Sequence, residues 1–468
     1  MVVDKRIVWV FYLIASVVAF WYWHPDEHYQ VSEFASYKLG ITPLKHLPWE
    51  FHNTMRSGIL PYISFLISKF TMSLGVFNPF LTEAICRILS TILFLFSYHK
   101  LLRLLSEEFQ MTTPRYYQWS LFFWVLPIVM IRFSSESVSA SLFWLGYALF
   151  RQNLNKSSLK LFGIGILWGL AFYIRAHIGI LIGIAILYHF IKERKFKIYI
   201  FILLGFFVST GLESIVNYWL YGKFVFVPIW YFKVNLLDGQ ASAKFGTEPF
   251  YYYFLEIIKN LIYPIGLAVF IGLFYFSKTK IKSIYTWFII IFFFIHSVIA
   301  HKEYRFLFPI YPLLIPIAFI GLHFIKNKLA SKFFNVIFCL NIILVPACFL
   351  IHSFKTYNFL RLYSYTQKEK EITCYKNDIY SLEEGARNNF EKAYFYKSKK
   401  STIIIIDSLN KVKTTYLITT KSLGENTNLN KANYQLLFQT IPEIIREKLP
   451  EKILTTIDEI YLYQKMAD

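Results

Sequence analysis

Long apolar runs parted by short polar breaks fill the first three quarters of this chain. They predict helices near 7–23, 58–77, 80–100, 116–131, 138–151, 159–174, 177–191, 198–218, 253–276, 283–300, 304–325 and 333–352. A bilayer core about 30 Å thick takes roughly 20 apolar residues as a helix, so the shorter runs are read as tilted or partly re-entrant. Three linkers are basic: Lys192–Lys197, Lys278–Lys282, and Lys326 to Lys328 with Lys332. Basic linkers face the cytoplasm, which places 301–305, the 219–252 loop and the carboxy-terminal segment on the outer face. Counting forward from Lys5 and Arg6 places His24–Glu27 on that face as well.

The two counts agree only if one of the twelve runs does not cross. The run 58–77 follows Arg56-Ser57-Gly58, holds Pro61 and Lys69, and is interrupted by Ser64, Ser68, Thr71 and Ser73. It suits a helix lying in the membrane interface. The expectation is an all-α polytopic membrane protein with about 11 crossings plus interfacial helices, its amino terminus inside and its carboxy terminus outside. The expected membrane domain is 1–352, with a first outer loop at 24–79 and a second at 219–252.

From about residue 353 the chain turns polar. Thr402–Ile406 reads as a strand, Thr414–Thr419 and Tyr461–Tyr463 as further candidates, and helical periodicity appears at 441–449. Residues 353–468 are therefore expected to form a small outer α/β unit. The amino terminus resembles a signal sequence but lacks a small-residue cleavage site. With Trp21-Tyr22-Trp23 as an interfacial belt, it reads as an uncleaved first helix.

Composition sharpens this picture. The 468 residues are 56% hydrophobic, and their formal charge of +20 is what basic cytoplasmic linkers and interfacial anchors produce. No soluble basic domain with a binding motif is present, so nucleic acid is not expected as a partner. The cysteines Cys86, Cys339, Cys348 and Cys374 show neither a CxxC nor zinc-ligand spacing.

Two polar islands carry candidate chemistry, because charge at the mouth of a membrane helix is costly and seldom kept without use. In His24-Pro25-Asp26-Glu27 the proline stops the helix, and the carboxylate after it suits a general base. The competing reading is a pair of solvated loop charges beside His24 and His28. A divalent metal at His24, Asp26, Glu27 and His28 is disfavoured, since four near-adjacent residues do not converge on one ion. In His301-Lys302-Glu303-Tyr304-Arg305 the Lys302 ammonium, the Arg305 fork and His301 suit a phosphate, with Glu303 orienting a cation. Interfacial snorkelling of single charges is the alternative there. Arg175-Ala176-His177 and Arg132 to Ser137 are further outer breaks. Glu83 and Arg87, four apart inside a run, suit an intramembrane ion pair. His52, Arg56, Glu213, Asn217 and Glu248 are weaker acceptor-binding candidates.

The stretch His24-Pro25-Asp26-Glu27-His28-Tyr29-Gln30 resembles the H-P-D-E-x-F-Q signature of the Alg9-like mannosyltransferases. His296-Ser297 with His301-Lys302-Glu303-Tyr304-Arg305-Phe306-Leu307-Phe308-Pro309-Ile310-Tyr311-Pro312 resembles that family's second signature. Tyr221-Gly222 and Gly246–Tyr253 are similar to its outer loop more loosely. The resemblance covers roughly residues 1–325. Tyr29 replaces the usual Phe, and Glu248 and Phe250 stand where His and Trp are expected, which bears on acceptor specificity.

The resemblance implies a C-type glycosyltransferase fold in the endoplasmic reticulum membrane or a bacterial inner membrane, with its active site on the lumenal or periplasmic face. It implies a polyprenyl-phosphate mannose donor, a lipid-linked glycan acceptor, an α-linked product, and neither nucleotide sugar, metal nor other cofactor. Asp26, assisted by Glu27, is the implied catalytic carboxylate. His301, Lys302 and Arg305 are expected at the donor phosphate, and His24, Gln30, Arg56, Arg175, Glu248 and Glu303 as substrate-binding groups. The glycosylphosphatidylinositol α-1,2 subgroup is the nearest match. Transfer of another sugar in surface-glycan assembly, transport of a lipid-linked glycan, and a non-catalytic membrane scaffold are the alternatives.

Overall fold

A computed structural model describes residues 4–19, 22–153, 157–325 and 332–346, with five strands at 371–375, 402–406, 416–419, 434–439 and 461–465. The chain divides into two compact units, Met1–Val17 with Pro48–Phe349, and Val18–Leu47 with Leu350–Asp468.

The first unit is helical. Pro79–Phe109 shows why the elements begin and end where they do. Asn78 caps it, its Oδ1 accepting the Phe80 N–H at 2.9 Å, Pro79 occupies the first turn, and Gln110 closes it in the left-handed region. At 31 residues it is about 46 Å long, well beyond a hydrocarbon core. Within it the expected pair forms: Arg87 lies 3.5 Å from Glu83 and also donates to the Ser16 carbonyl at 2.9 Å.

Among the described residues, three helices are long and apolar enough to cross a membrane: Pro79–Phe109, Phe196–Tyr221 and Tyr304–His323. Shorter apolar helices stand at Ile59–Ser73, Ser158–Ile174, Ile265–Thr279, Ile284–Val298 and Lys332–Pro346. Two helix pairs approach closely through glycine. Gly165 faces the Ile202 carbonyl and Gly205 the Phe162 carbonyl, joining Ser158–Ile174 to Phe196–Tyr221. Gly272 and Gly321 join Ile265–Thr279 to Tyr311–His323 in the same way. Small residues permit this in a setting where lipid offers apolar side chains no advantage from burial.

Several runs are broken where the sequence predicted continuous helices. The first helix stops at Val18. The run 116–131 is two short helices, Pro114–Leu121 and Leu126–Val129. The backbone freed between them is satisfied by one side chain. Asn341 Oδ1 accepts from Trp124 N at 3.1 Å, and Asn341 Nδ2 donates to the Phe122 carbonyl at 3.0 Å. Irregular backbone at membrane depth is tolerated where protein groups satisfy it. The run 253–276 parts into Tyr252–Asn260 and Ile265–Thr279, because Pro264 has no N–H to continue the ladder. The run 304–325 opens as a 3-10 turn, Tyr304–Ile310, before the helix Tyr311–His323. Trp144 Nε1 donates to the Pro309 carbonyl at 2.8 Å and holds that turn.

In the second unit, residues 25–46 form short helical turns. The five strands β1 (Glu371–Tyr375), β2 (Thr402–Ile406), β3 (Tyr416–Thr419), β4 (Tyr434–Gln439) and β5 (Tyr461–Lys465) make one mixed sheet, ordered β2-β1-β3-β5-β4. β1 runs parallel to β2 and β3, and β5 runs antiparallel to β3 and β4. Strands stand at 402–406, 416–419 and 461–465 as the pattern predicts, β1 and β4 were not anticipated, and the helical segment at 441–449 lies outside the described residues.

A Cβ at position 165 would collide with the Ile202 carbonyl, whereas Gly163 in the same helix faces open space. Gly165→Val is expected to destabilise the detergent-solubilised protein by about 1–3 kcal/mol. Gly163→Val should leave the thermal melting midpoint near that of the wild type. Equal losses for both variants would show that the close approach is not what holds these helices.

Candidate functional site

The acidic pair sits on a tightly built turn in the second unit. His24 is extended, and its Nδ1 accepts the Asp26 N–H at 3.2 Å, capping the short helix Pro25–Glu27. Glu27 reaches back in turn, its Oε2 accepting the Trp23 N–H at 3.1 Å. This is a capping box displaced by one residue, and it engages the Glu27 carboxylate structurally. Asp26 lies beside His24, with 3.8 Å between Oδ1 and Nδ1, and its side chain is 18% exposed.

A π turn, His28–Ser32, follows directly and leads into the helix Glu33–Lys38. Five residues separate His28 from Glu33, a spacing that an α-helix places on different faces and a π turn aligns. The result is a buried contact of 2.8 Å between His28 Nε2 and Glu33 Oε1. Thr42 Oγ1 donates to the other Glu33 oxygen at 2.5 Å and lies 2.7 Å from Ser36 Oγ. The turn bearing Asp26 is thus anchored by a buried polar network. Gln30 is buried in this segment too.

The second island folds against two other breaks of the first unit. Arg305 enters the 3-10 turn and forks onto Glu303, with Nε to Oε2 at 2.6 Å and Nη2 to Oε1 at 3.0 Å. His301 Nε2 lies 3.1 Å from Glu303 Oε1, and its Nδ1 is 3.1 Å from the Gly246 carbonyl. Glu136, at the start of the helix Ser135–Asn153, lies 2.9 Å from Arg175 Nη2 and 3.6 Å from Arg305 Nη1. One carboxylate therefore joins two guanidinium groups, all three nearly out of water. The Phe306 ring is shared as well, with both arginine Cζ atoms 5.6 Å from its centroid.

Lys302 stands apart electrostatically. It is buried, and its Nζ donates to the Glu248 carbonyl at 2.6 Å and the Ala300 carbonyl at 3.4 Å. Among the described residues it pairs with no carboxylate. Burial lowers its pKa below the usual lysine range, partly offset by the nearby Glu248 charge. An ammonium has three donors, so at least one remains for an anion.

The structure thus brings His301, Lys302, Glu303, Arg305 and Arg175 together in the first unit, and His24, Asp26, Glu27 and Gln30 together in the second. Glu303 orients Arg305 and His301. Glu248 contributes its carbonyl while its side chain is exposed. Arg56 lies 3.8 Å from Glu50, with its Cζ 5.6 Å from the Tyr231 ring centroid. Sequence reasoning assigned no role to Glu136, His177 or Phe306. Its usable signal for Glu136 and His177 was that both stand at polar breaks between apolar runs, where charge is expensive.

A sequence profile described as the Alg9-like mannosyltransferase family matches residues 6–392, a span holding both islands. The chain belongs to that family. Among curated relatives of this Alg9-like protein, mannosyltransferase APTG1 of Arabidopsis thaliana is 25% identical over 323 residues, covering 66% of this chain and 56% of its own length. GPI alpha-1,2-mannosyltransferase 3 of Homo sapiens is 25% identical over 376 residues, covering 75% of this chain and 62% of its own. The chain therefore spans between about half and two thirds of these relatives' lengths. Among solved structures, ArnT from Cupriavidus metallidurans bound to undecaprenyl phosphate matches with a TM-score of 0.50 at 12% identity, over 84% of this chain and 73% of that one. That likeness shows the fold, the membrane-embedded C-type glycosyltransferase fold.

Removing one partner from a buried charge network costs about 3–5 kcal/mol, because the remaining charges stay desolvated. Glu136→Gln in this Alg9-like chain is expected to lower the thermal melting midpoint in detergent markedly and to reduce the monodisperse yield. A midpoint equal to that of the wild type would show that Glu136 does not hold Arg175 and Arg305.

Proposed function

We propose that this chain is an inverting mannosyltransferase that moves mannose from a polyprenyl-phosphate donor to a lipid-linked glycan. The observation that carries the donor assignment is Lys302, a buried ammonium held by backbone carbonyls and not by a carboxylate. Such a group is poised for an anion that the protein itself does not supply. His301 and Arg305, on the same turn, complete the set for the donor phosphate. Family membership supports mannose as the sugar.

Asp26 takes the proton of the acceptor hydroxyl, which attacks the anomeric carbon of a β-linked phosphate sugar and yields an α-linkage. The lipid phosphate departs as an anion, so no general acid is required near neutral pH. Lys302 and Arg305 stabilise the charge that develops on it, a contribution of the kind worth several kcal/mol. Glu27 and His24 fix the turn from which Asp26 acts. Gln30, Arg56, Arg175, Glu248 and Glu303 serve as substrate-binding or orienting groups. Residues 1–352 form the transferase domain with outer loops at 24–79 and 219–252, and 353–468 an outer domain. The glycosylphosphatidylinositol α-1,2 type in the endoplasmic reticulum membrane, acting at the lumenal face, is the reading favoured by the GPI mannosyltransferases among the relatives.

Purified protein supplied with a synthetic polyprenyl-phosphate mannose and a panel of mannosylated lipid acceptors is expected to transfer mannose. Asp26→Asn should lower turnover by about 100- to 10,000-fold while keeping donor affinity. Unchanged turnover in that variant would remove Asp26 as the base. The depressed Lys302 pKa adds a signed expectation. The cationic form holds below that pKa, so affinity for polyprenyl phosphate should fall on the alkaline side before the ordinary lysine range is reached. Lys302→Arg should abolish that alkaline fall, because a guanidinium stays charged there. Persistence of the fall in Lys302→Arg would assign it to another group.

A further inference from the structure

Residues 223–237 bury one side against the protein and leave another, equally apolar, exposed. On the inner side Val225, Val227, Pro228 and Val234 are buried. Asn217 Nδ2 donates to the Val225 carbonyl at 3.1 Å, and Arg56 Cζ stands 5.6 Å from the Tyr231 ring centroid. On the outer side Phe224, Ile229, Trp230, Leu236 and Leu237 are exposed, Phe224 at 77% and Leu237 at 82%. The helix Val227–Phe232 and the π turn Lys233–Leu237 that continues it are together too short to cross a bilayer. An element that is apolar all round needs an apolar medium on both sides, and here the protein supplies one.

Continuity identifies the second medium. The preceding helix, Phe196–Tyr221, has 26 residues and is about 39 Å long, more than a hydrocarbon core of about 30 Å, so its last turns reach the headgroup layer. Phe207, Ile215 and Tyr218 are exposed along this helix, as lipid-facing side chains are. Gly222 ends it in the left-handed region, and the Tyr218 and Phe224 rings then lie 4.8 Å apart. The lipid-facing surface thus passes without a break into the loop. The charges agree with this placement. Lys223 and Lys233 are exposed beside the apolar ridge, and Lys233 Nζ stands 5.1 Å from the Trp230 ring centroid. Tryptophan with lysine is the pairing of a membrane–water boundary, the ring among the headgroups and the ammonium reaching their phosphates.

We propose that residues 223–237 are a bilayer contact lying in the plane of the membrane, in the leaflet where Phe196–Tyr221 ends. Phe224, Ile229, Trp230, Leu236 and Leu237 enter the upper acyl chains, and Lys223 and Lys233 meet phospholipid phosphates. The contact goes beyond the transferase reading and involves none of the groups assigned to catalysis or substrate binding.

The test uses the purified full chain carrying Cys86→Ala, Cys339→Ala, Cys348→Ala and Cys374→Ala, reconstituted in phosphatidylcholine vesicles. A fluorophore is attached at Leu237→Cys, at Phe224→Cys or, as a reference within the spanning helix, at Phe207→Cys. The labels at 237 and 224 should lose more fluorescence to a nitroxide placed on the lipid near the headgroup than to one near the chain end, and little to aqueous iodide. The label at 207 should show the opposite lipid preference. Strong loss to iodide with none to either lipid nitroxide at 237 and 224 would overturn the proposal, since the ridge would then lie in water. Protection of both labels from iodide and from lipid alike would overturn it too, in favour of a second copy of this chain covering the ridge. A label at 207 open to iodide would remove the spanning helix whose surface the ridge continues, and the proposal with it.

Discussion

The first unit depends on one carboxylate. Arg175 and Arg305 have been taken almost wholly out of water at the mouths of apolar helices, and Glu136 lies against both. Desolvating a guanidinium is tolerable only where an opposite charge and hydrogen bonds replace the lost water. Meeting that condition fixes the break after Ile174, the start of the helix at Ser135 and the turn opening at Tyr304 relative to one another. Glu303 then completes the fork on Arg305, and the buried Lys302 beside it is met by the Glu248 and Ala300 carbonyls. Charge balance within the unit thus shapes where an anion is accommodated.

The acidic turn follows a different logic. His24 and Glu27 use their side chains on backbone N–H groups, and the π turn beyond them brings His28 and Glu33 into register. A local change of helical period builds a buried polar network in the segment that follows Asp26. Rigid support of this kind is what a positioned carboxylate needs, since catalytic groups work only when their rotamers and backbone are held.

The sequence made some of this architecture legible and concealed the rest for identifiable reasons. Hydropathy located nearly every helix, because membrane helices must bury or face lipid with apolar side chains. It missed the interruptions at 122–125 and 261–264, since a run of apolar letters carries no information about which carbonyls and amides find partners. The isoleucine-rich strand at Thr402–Ile406 was visible from composition, whereas Glu371–Tyr375 and Tyr434–Gln439 are short segments of mixed polarity. Arg175 and Arg305 were conspicuous as charges between apolar runs. Their common partner was not, because Glu136 meets them only after distant segments have packed.

The Asn341 side chain has a consequence for how the protein is made. It closes backbone groups of Phe122 and Trp124 that precede it by 219 and 217 residues. At ribosomal rates of about 5–20 residues per second, roughly 10–40 s of synthesis separates the break from the residue that completes it. During that interval the exposed amide and carbonyl need water, a neighbouring helix or the insertion machinery as a temporary substitute for the asparagine. The segment 114–129 therefore cannot reach its final burial by sequential insertion alone, and its maturation waits on the arrival of the helix at 332–346.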